Sequence, residues 1–299
     1  MQKLPAFALC AALPLLLLSF CHSQKPSASA AQTAANAPDS LPYSLDMPAL
    51  TINLVNEELK EISGLSPADS QGVFLAIADE RGEVFFIGGD GGGAIFRRIL
   101  FREKGDFEGV EMVGKTIWAI KSDGDLFEIN DWKKTPPRID EYKTPLKKTD
   151  DVEGLTYDAK RNALLLACKS DPADFSPRKV FAFNLKTKVM EETPVFTINP
   201  EVVNRLVPYN DTEKHDAFSP SGIALHPLTN DVYLISTALK RLVVLDYTSG
   251  KIKFARRLDK KLLPQPEGIS FDAAGNLYIS SEGKGASGLL LKFDFQRNN

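Results

Sequence analysis

Five copies of one short phrase punctuate the sequence, and in each a serine or glutamate precedes a glycine. They read Glu61-Ile62-Ser63-Gly64-Leu65, Asp106-Phe107-Glu108-Gly109-Val110, Asp151-Val152-Glu153-Gly154-Leu155, Ser219-Pro220-Ser221-Gly222-Ile223 and Gln265-Pro266-Glu267-Gly268-Ile269. The glycines are spaced by 45, 45, 68 and 46 residues. A period near 45 suits one four-stranded sheet with its turns, the blade of a β-propeller. Radial repetition then brings the residues before the glycines, Ser63, Glu108, Glu153, Ser221 and Glu267, into one ring.

Each repeat reads as short strands separated by turn signals. In the last, Gly268–Phe271, Leu277–Ser280 and Leu289–Asp294 are strands, and Asp272-Ala273-Ala274-Gly275-Asn276 is a turn. Aspartate opens such a turn by accepting backbone amides ahead of it, and glycine supplies the positive φ that closes it. The last repeat lacks an outer strand, for which Leu50–Val55 is the candidate. An N-terminal strand placed there removes open sheet edges. The expected fold is therefore all-β, a five-bladed propeller closed by an N-terminal strand. A sixth blade, the alternative, would have to come from the 68-residue interval, which is too short for two. That interval holds an insertion near Asn199–Phe218, with the one expected helix at Pro200–Leu206, where proline takes a permitted first-turn position.

The N-terminus reads as a targeting segment. Lys3 precedes an apolar run, Leu4–Phe20, too short and too interrupted by Pro5 and Pro14 for a good membrane span. Leu18-Ser19-Phe20-Cys21 resembles a bacterial lipobox, so residues 1–21 are expected to be a signal peptide and Cys21 the lipid-bearing residue. Cleavage after Ala28-Ser29-Ala30, giving a soluble secreted protein, is the alternative. Residues 22–48, rich in Ser, Ala, Gln and Pro, are expected to be a disordered tether, and 49–299 the propeller. Cys168 is then the body's single cysteine, so no intrachain disulfide forms, and its apolar run predicts burial. A net charge of −3 gives no reason to expect nucleic acid or a membrane surface as partner, and a monomer is expected.

The phrases Glu61–Leu65, Asp106–Gly109 and Val152–Leu155, ending in Gln265–Asp272, resemble those of the SdiA-regulated (YjiK-like) propeller family over about residues 50–295. That resemblance implies an exported bacterial propeller and carries little chemistry with it. The order Ser63, Glu108, Glu153, Ser221, Glu267 is similar to the central calcium site of the five-bladed calcium-activated nucleotidases, although no match to that family's catalytic residues is present.

Three carboxylates and two hydroxyls are hard oxygen donors. Calcium takes 6–8 of these at about 2.3–2.6 Å in loose geometry, whereas magnesium wants a tighter octahedron. Zinc is disfavoured because no His or Cys accompanies the phrase. Calcium at the ring is the expectation. Without a cation, protonation has to relieve the carboxylates' mutual repulsion. The positions three before each glycine, Glu61, Asp106, Asp151, Ser219 and Gln265, and second-strand ends such as Asp79, Lys121, Lys169, Thr237 and Glu282 are expected at the same rim.

The sequence offers no Gly-x-Ser-x-Gly elbow and no usable triad among His22, His215 and His226. Gly88–Gly93 resembles a phosphate cradle only in composition, since no helix pattern follows it. Two functions remain. One is a binding or scaffolding propeller with an unidentified small-molecule or protein ligand. The other is a calcium-dependent hydrolase of phosphoesters or lactones. The fold admits both.

Overall fold

The computed structural model describes residues 41–296 except Gly91. The expected signal peptide, Cys21, the alternative cleavage site at Ala30 and most of the tether lie outside the described residues. The chain opens with β1 (Leu50–Leu54) and then builds blade one from β2 (Ile62–Pro67), β3 (Val73–Ala78), β4 (Gly82–Gly88) and β5 (Ile95–Arg102). Blade two is β6 (Phe107–Val113), β7 (Thr116–Lys121), β8 (Leu126–Asn130) and β9 (Arg138–Tyr142). Blade three is β10 (Val152–Asp158), β11 (Ala163–Cys168) and β12 (Arg178–Asn184), with an outer edge divided between β13 (Val189–Met190) and β14 (Phe196–Ile198). After α1 (Pro200–Leu206) come β15 (Gly222–Leu225), β16 (Val232–Ser236), β17 (Arg241–Leu245) and β18 (Ile252–Arg257), which form blade four. Blade five holds β19 (Gln265–Phe271), β20 (Leu277–Glu282) and β21 (Gly288–Phe293). Four sheets run in chain order and the fifth runs β19, β20, β21, β1, so the result is a five-bladed β-propeller. Strand β1 lies antiparallel to β21, with Leu50 opposite Lys292 and Leu54 opposite Gly288.

The middle strands are apolar at consecutive positions because each blade is packed on both faces. Alternate residues point to opposite sides of a strand. Phe74 and Ala76 accordingly pack toward blade five, and Leu75 and Ile77 toward blade two. In β11, Leu164 and Leu166 meet blade two while Leu165 and Ala167 meet blade four. The core is five apolar clusters, one at each interface between neighbouring blades. Cys168 is buried in the cluster between blades two and three, and burial pushes its thiol up to about 12. It is a packing residue, as its setting in the sequence predicts.

The repeated glycines are explained by distance. A Cβ on Gly64 would lie 2.9 Å from Gly109 Cα, one on Gly109 would lie 2.6 Å from Leu155 Cβ, and one on Gly154 would lie 2.8 Å from Ile223 Cγ2. Gly222 faces the carbonyl of Glu267, and a Cβ on Gly268 would lie 2.7 Å from Leu65 Cβ. Each glycine thus lets its inner strand touch the next blade's copy of the phrase, all the way round the axis.

Two features depart from the sequence reading. The outer edge of blade three is broken, because Pro194 has no N–H to give the ladder. The bonds resume on either side of it, from Glu191 N to Ala182 O (2.8 Å) and from Val195 N to Val180 O (2.8 Å). Ordered packing also begins before residue 49. Tyr43 and Leu45 are buried between blades four and five, so the expected tether is already docked at that point. Tyr43 Oη donates to Gly275 O (2.6 Å) and lies 2.9 Å from His226 Nε2. His226 Nδ1 accepts the amides of Leu228 and Thr229, both at 3.1 Å, so Nε2 carries the proton and donates to Tyr43.

The insertion is tied to blade four by Glu213. Its oxygens take Arg241 Nη1 and Nη2 at 2.8 Å each and Arg257 Nε and Nη2 at 3.0 and 2.8 Å. These charge-assisted bonds, Arg241's first, hold its carboxyl well below the usual range. Helix α1 starts where expected, with Asn199 capping Glu201 N at 2.9 Å.

Leu54 of β1 is fully buried among Leu59, Ile62 and Leu290. Leu54→Ala is expected to cost about 2–5 kcal/mol and to lower the melting temperature by roughly 5–15 °C. Thermal unfolding followed by circular dichroism tests this, and an unchanged melt would show that β1 does not hold the fifth blade.

Candidate functional site

In blades one, two, three and five the strand register slips at the phrase itself, between Ile62 and Gly64, Phe107 and Gly109, Val152 and Gly154, and Pro266 and Ile269. A bulge leaves its extra residue out of the ladder and re-aims its side chain. Ser63, Glu108, Glu153 and Glu267 sit at those slips and line the narrow axial opening together with Gly222. Ser221 precedes β15, and its Oγ is turned onto backbone, donating to Pro266 O at 2.7 Å. The opening is about 10 Å³, space for one water-sized species.

The electrostatics of the ring are unusual. Burial first, then the charges of Glu153 and Asp106, push the Glu108 carboxyl far above the usual range. Burial also raises Glu153, against the pull of Lys169. Glu267 is pushed up to about 8, by burial and then by Glu153. Its Oε2 is buried with no hydrogen-bond partner. Lys169, at the end of β11, supplies the counter-charge: its Nζ lies 2.9 Å from Glu153 Oε1. Burial opposes the ammonium, but Glu153 and Glu267 hold its pKa above the ordinary value. Protons and one ammonium thus neutralise the ring as it stands. Among the described residues, no group of three or more His, Cys, Asp or Glu side chains is gathered in a metal-ready cage. Lys169 Nζ already occupies Glu153 Oε1, so a metal taking that oxygen would have to displace it.

The rim residues fall at the same end. Gln265 Nε2 donates to Glu282, Lys121 pairs with Asp123 at 2.7 Å, and Thr237 donates to Pro266 O beside Ser221. Burial and then Glu61 raise both Asp79 and Glu282. Ser219 is turned away, its Oγ accepting from Arg178 Nη2 at 3.1 Å.

Glu111 is a functional candidate that sequence reasoning missed. It lies three residues beyond Glu108, and Ser66, Thr156 and Ser270 occupy the same place in other phrases, a second register in the repeat. It sits at the other end of the channel, where a cavity of about 1070 Å³ opens. Ser66 Oγ of blade one donates to Glu111 Oε1 at 2.7 Å, and Tyr157 N of blade three donates to Oε2 at 3.2 Å. Its own neighbour Met112 N gives a third bond, 3.0 Å from Oε1. One carboxylate thus links three blades. Burial outweighs these bonds and pushes it up to about 7.

The remaining candidates are structural. Asp158, Asp272 and His226 each accept amides in their turns. Gly88 ends β4, and the glycines after it belong to the β4–β5 connection with no helix following. Among the described residues, no helix is long and apolar enough to cross a membrane.

The sequence matches the SdiA-regulated family over residues 40–284. The chain belongs to the SdiA-regulated family. No curated protein matches the sequence. Among solved structures, the glutaminyl cyclase of Myxococcus xanthus aligns at 10% identity and a TM-score of 0.53, covering 85% of this chain and 100% of that one. A gluconolactonase of Xanthomonas campestris aligns at 12% identity and a TM-score of 0.49, over 79% and 77% of the two chains. At such identities the likeness is one of fold, and the family membership names no reaction.

Glu111 has a testable pH signature. Its folded pKa, about 7, exceeds the ordinary 4.5, so the folded state binds the proton more tightly. Its contribution is complete below about pH 4.5 and is lost as pH rises through about 7, a change of about 3 kcal/mol. Glu111→Gln is expected to make stability between pH 5 and 7 shallower by up to about 1.4 kcal/mol per pH unit. Urea unfolding across that range tests it, and a variant with the parent's slope would exclude Glu111 as the titrating group.

Proposed function

We propose that this SdiA-regulated protein is an exported, lipid-anchored binding propeller whose axial ring takes one calcium ion. The observation that carries the reading is the buried, unpartnered Glu267 Oε2 beside a void of single-ion size, with Glu108 and Glu153 converging on the same opening. An orphaned buried carboxylate oxygen is costly, and a hard divalent cation satisfies it. Glu108, Glu153 and Glu267 are the charged ligands, Ser63 and Ser221 the neutral ones, and Lys169 is the internal competitor for the same charge. Calcium would supply cross-linking of inner strands, a structural role.

The binding reading is preferred to hydrolysis on the disposition of the carboxylates. The opening at the ring is too small for a substrate. Glu111 has a raised pKa beside a large cavity, which is what a general acid–base needs. Both of its oxygens, however, are already held by Ser66, Met112 and Tyr157. No nucleophile accompanies it.

A cation that binds only the folded ring stabilises it by about 2.7 kcal/mol at one hundred times Kd, which is roughly 5–10 °C in a domain of this size. Calcium is expected to raise the melting temperature and a chelator to lower it. Glu153→Gln removes a charge at constant shape and weakens the response, Ser221→Ala weakens it less, and Lys169→Met strengthens it by removing the competitor. A parent protein that melts identically in calcium and chelator, with Lys169→Met merely less stable, would leave the ring a hydrogen-bonded network without a metal.

Export rests on the apolar run before Cys21 and the polar stretch after it. Cys21→Ala is expected to move the protein from the membrane to the soluble fraction. A mature N-terminus at Ala31 would instead establish cleavage after Ala30.

A further inference from the structure

On the same face as the ring, a cavity of about 920 Å³ is walled by blade four, the strand-β20-to-β21 loop and the insertion. Its basic residues fall into two groups. The arginines are paired: Arg256 Nη2 reaches both oxygens of Asp46 at 2.9 Å, and Arg257 is bound by Glu213. The lysines are not. Among the described residues Lys214, Lys240, Lys260 and Lys284 make no ion pair. Of the wall's carboxylates, Asp46 and Glu213 are held by the arginines, which leaves Asp216 and Asp259 to face the four lysines.

Lys240 is half-buried, whereas Lys214, Lys260 and Lys284 are exposed. Its Nζ donates to Thr237 O at 2.6 Å, which fixes the ammonium at the wall with two donors to spare. Burial, then the charges of Lys284 and Lys260, hold its pKa below the ordinary value, and the nearby Glu267 only partly offsets them. Gathering ammonium groups in a concavity of a protein whose net charge is −3 is unfavourable unless an anion joins them.

We propose that this cavity binds a small molecule through an oxyanion group, a phosphate or a carboxylate, with Lys240 as its inner contact and Lys260 and Lys284 as its outer ones. None of its lysines belongs to the ring, but Glu267 lies near enough to act on the charge of Lys240, so the site is tested without calcium.

The test uses chelator-treated full-length protein, so that its failure and that of the calcium reading are distinguishable. Inorganic phosphate and succinate are titrated at constant ionic strength against sodium chloride, with melting temperature and calorimetric binding as readouts. At roughly ten times Kd the bound anion is expected to raise the melting temperature by about 3 °C. A response to phosphate alone or succinate alone assigns the headgroup. Lys284→Gln changes an exposed side chain, so the fold survives and binding weakens by up to about fivefold, the range of one surface charge contact. Lys240→Met abolishes the response, and Lys186→Gln, on another blade, leaves it intact. The proposal fails if neither anion exceeds chloride, or if the shift persists in the Lys240→Met, Lys284→Gln double variant.

Discussion

Close approach of five backbones at one axis is the constraint on which everything else rests. With no side chain at Gly64, Gly109, Gly154, Gly222 and Gly268, each inner strand lies against the next blade's copy of the same phrase. Any Cβ there would force the blades apart and open the axis. None of the five glycines takes a left-handed φ, so it is their size that matters. Blades that meet this closely must turn both faces inward, which is why β3, β11, β16 and β20 carry apolar side chains at successive positions. The same packing produces five interface clusters in place of one central core.

The close approach also shapes the ring. A strand pinned at its glycine has to absorb the mismatch with its neighbour, and in four blades it does so by slipping register at the preceding residue. The bulged residue is free of the ladder, so its side chain turns into the axial opening. Three of the four are glutamates, and burial pushes all three toward the protonated form. Structural economy at the axis and the concentration of buried charge are thus one geometric event.

Much of this is legible from residues alone, because the relevant patterns are local and repeated. The phrase spacing predicts five blades, the turn after Phe271 predicts Asp272 as an amide acceptor, and Pro200 marks the start of α1. The broken edge of blade three follows from Pro194, but a single proline between two apolar stretches reads equally as an ordinary turn. Lys169 reads as a rim residue, but its contact with Glu153 inside the ring is a matter of three-dimensional reach that spacing does not carry. Tyr43 resembles tether in composition, and its anchoring depends on His226, far along the chain. Glu111 carries a sequence signal, its place three residues beyond Glu108 where Ser66, Thr156 and Ser270 stand in other phrases, but its link between three blades exists only in space. Lys214, Lys240, Lys260 and Lys284 come from four separate connections, so no window of sequence contains them together.

Charge is segregated across the ring face, and that segregation costs stability. On the side of blades one and five, Glu282 and Asp79 are raised by burial and by Glu61, so acids crowd acids. Where blade four meets the β20–β21 loop of blade five, Lys240 is lowered by burial and by Lys284, so bases crowd bases. Exchanging a few charges between the two sides would relieve both, and a sequence selected for stability alone has no reason to keep them apart. Lys169 shows the protein placing a cation beside buried acids where neutrality alone is wanted. The cavity lysines, which make no ion pair among the described residues, and the Glu267 oxygen, which has no hydrogen-bond partner, mark two places where the chain leaves polar groups unsatisfied. Both lie at the same mouth, an acidic opening of atomic size beside a basic cavity of small-molecule size, so a ligand seated on the lysines would lie against the wall that carries the ring.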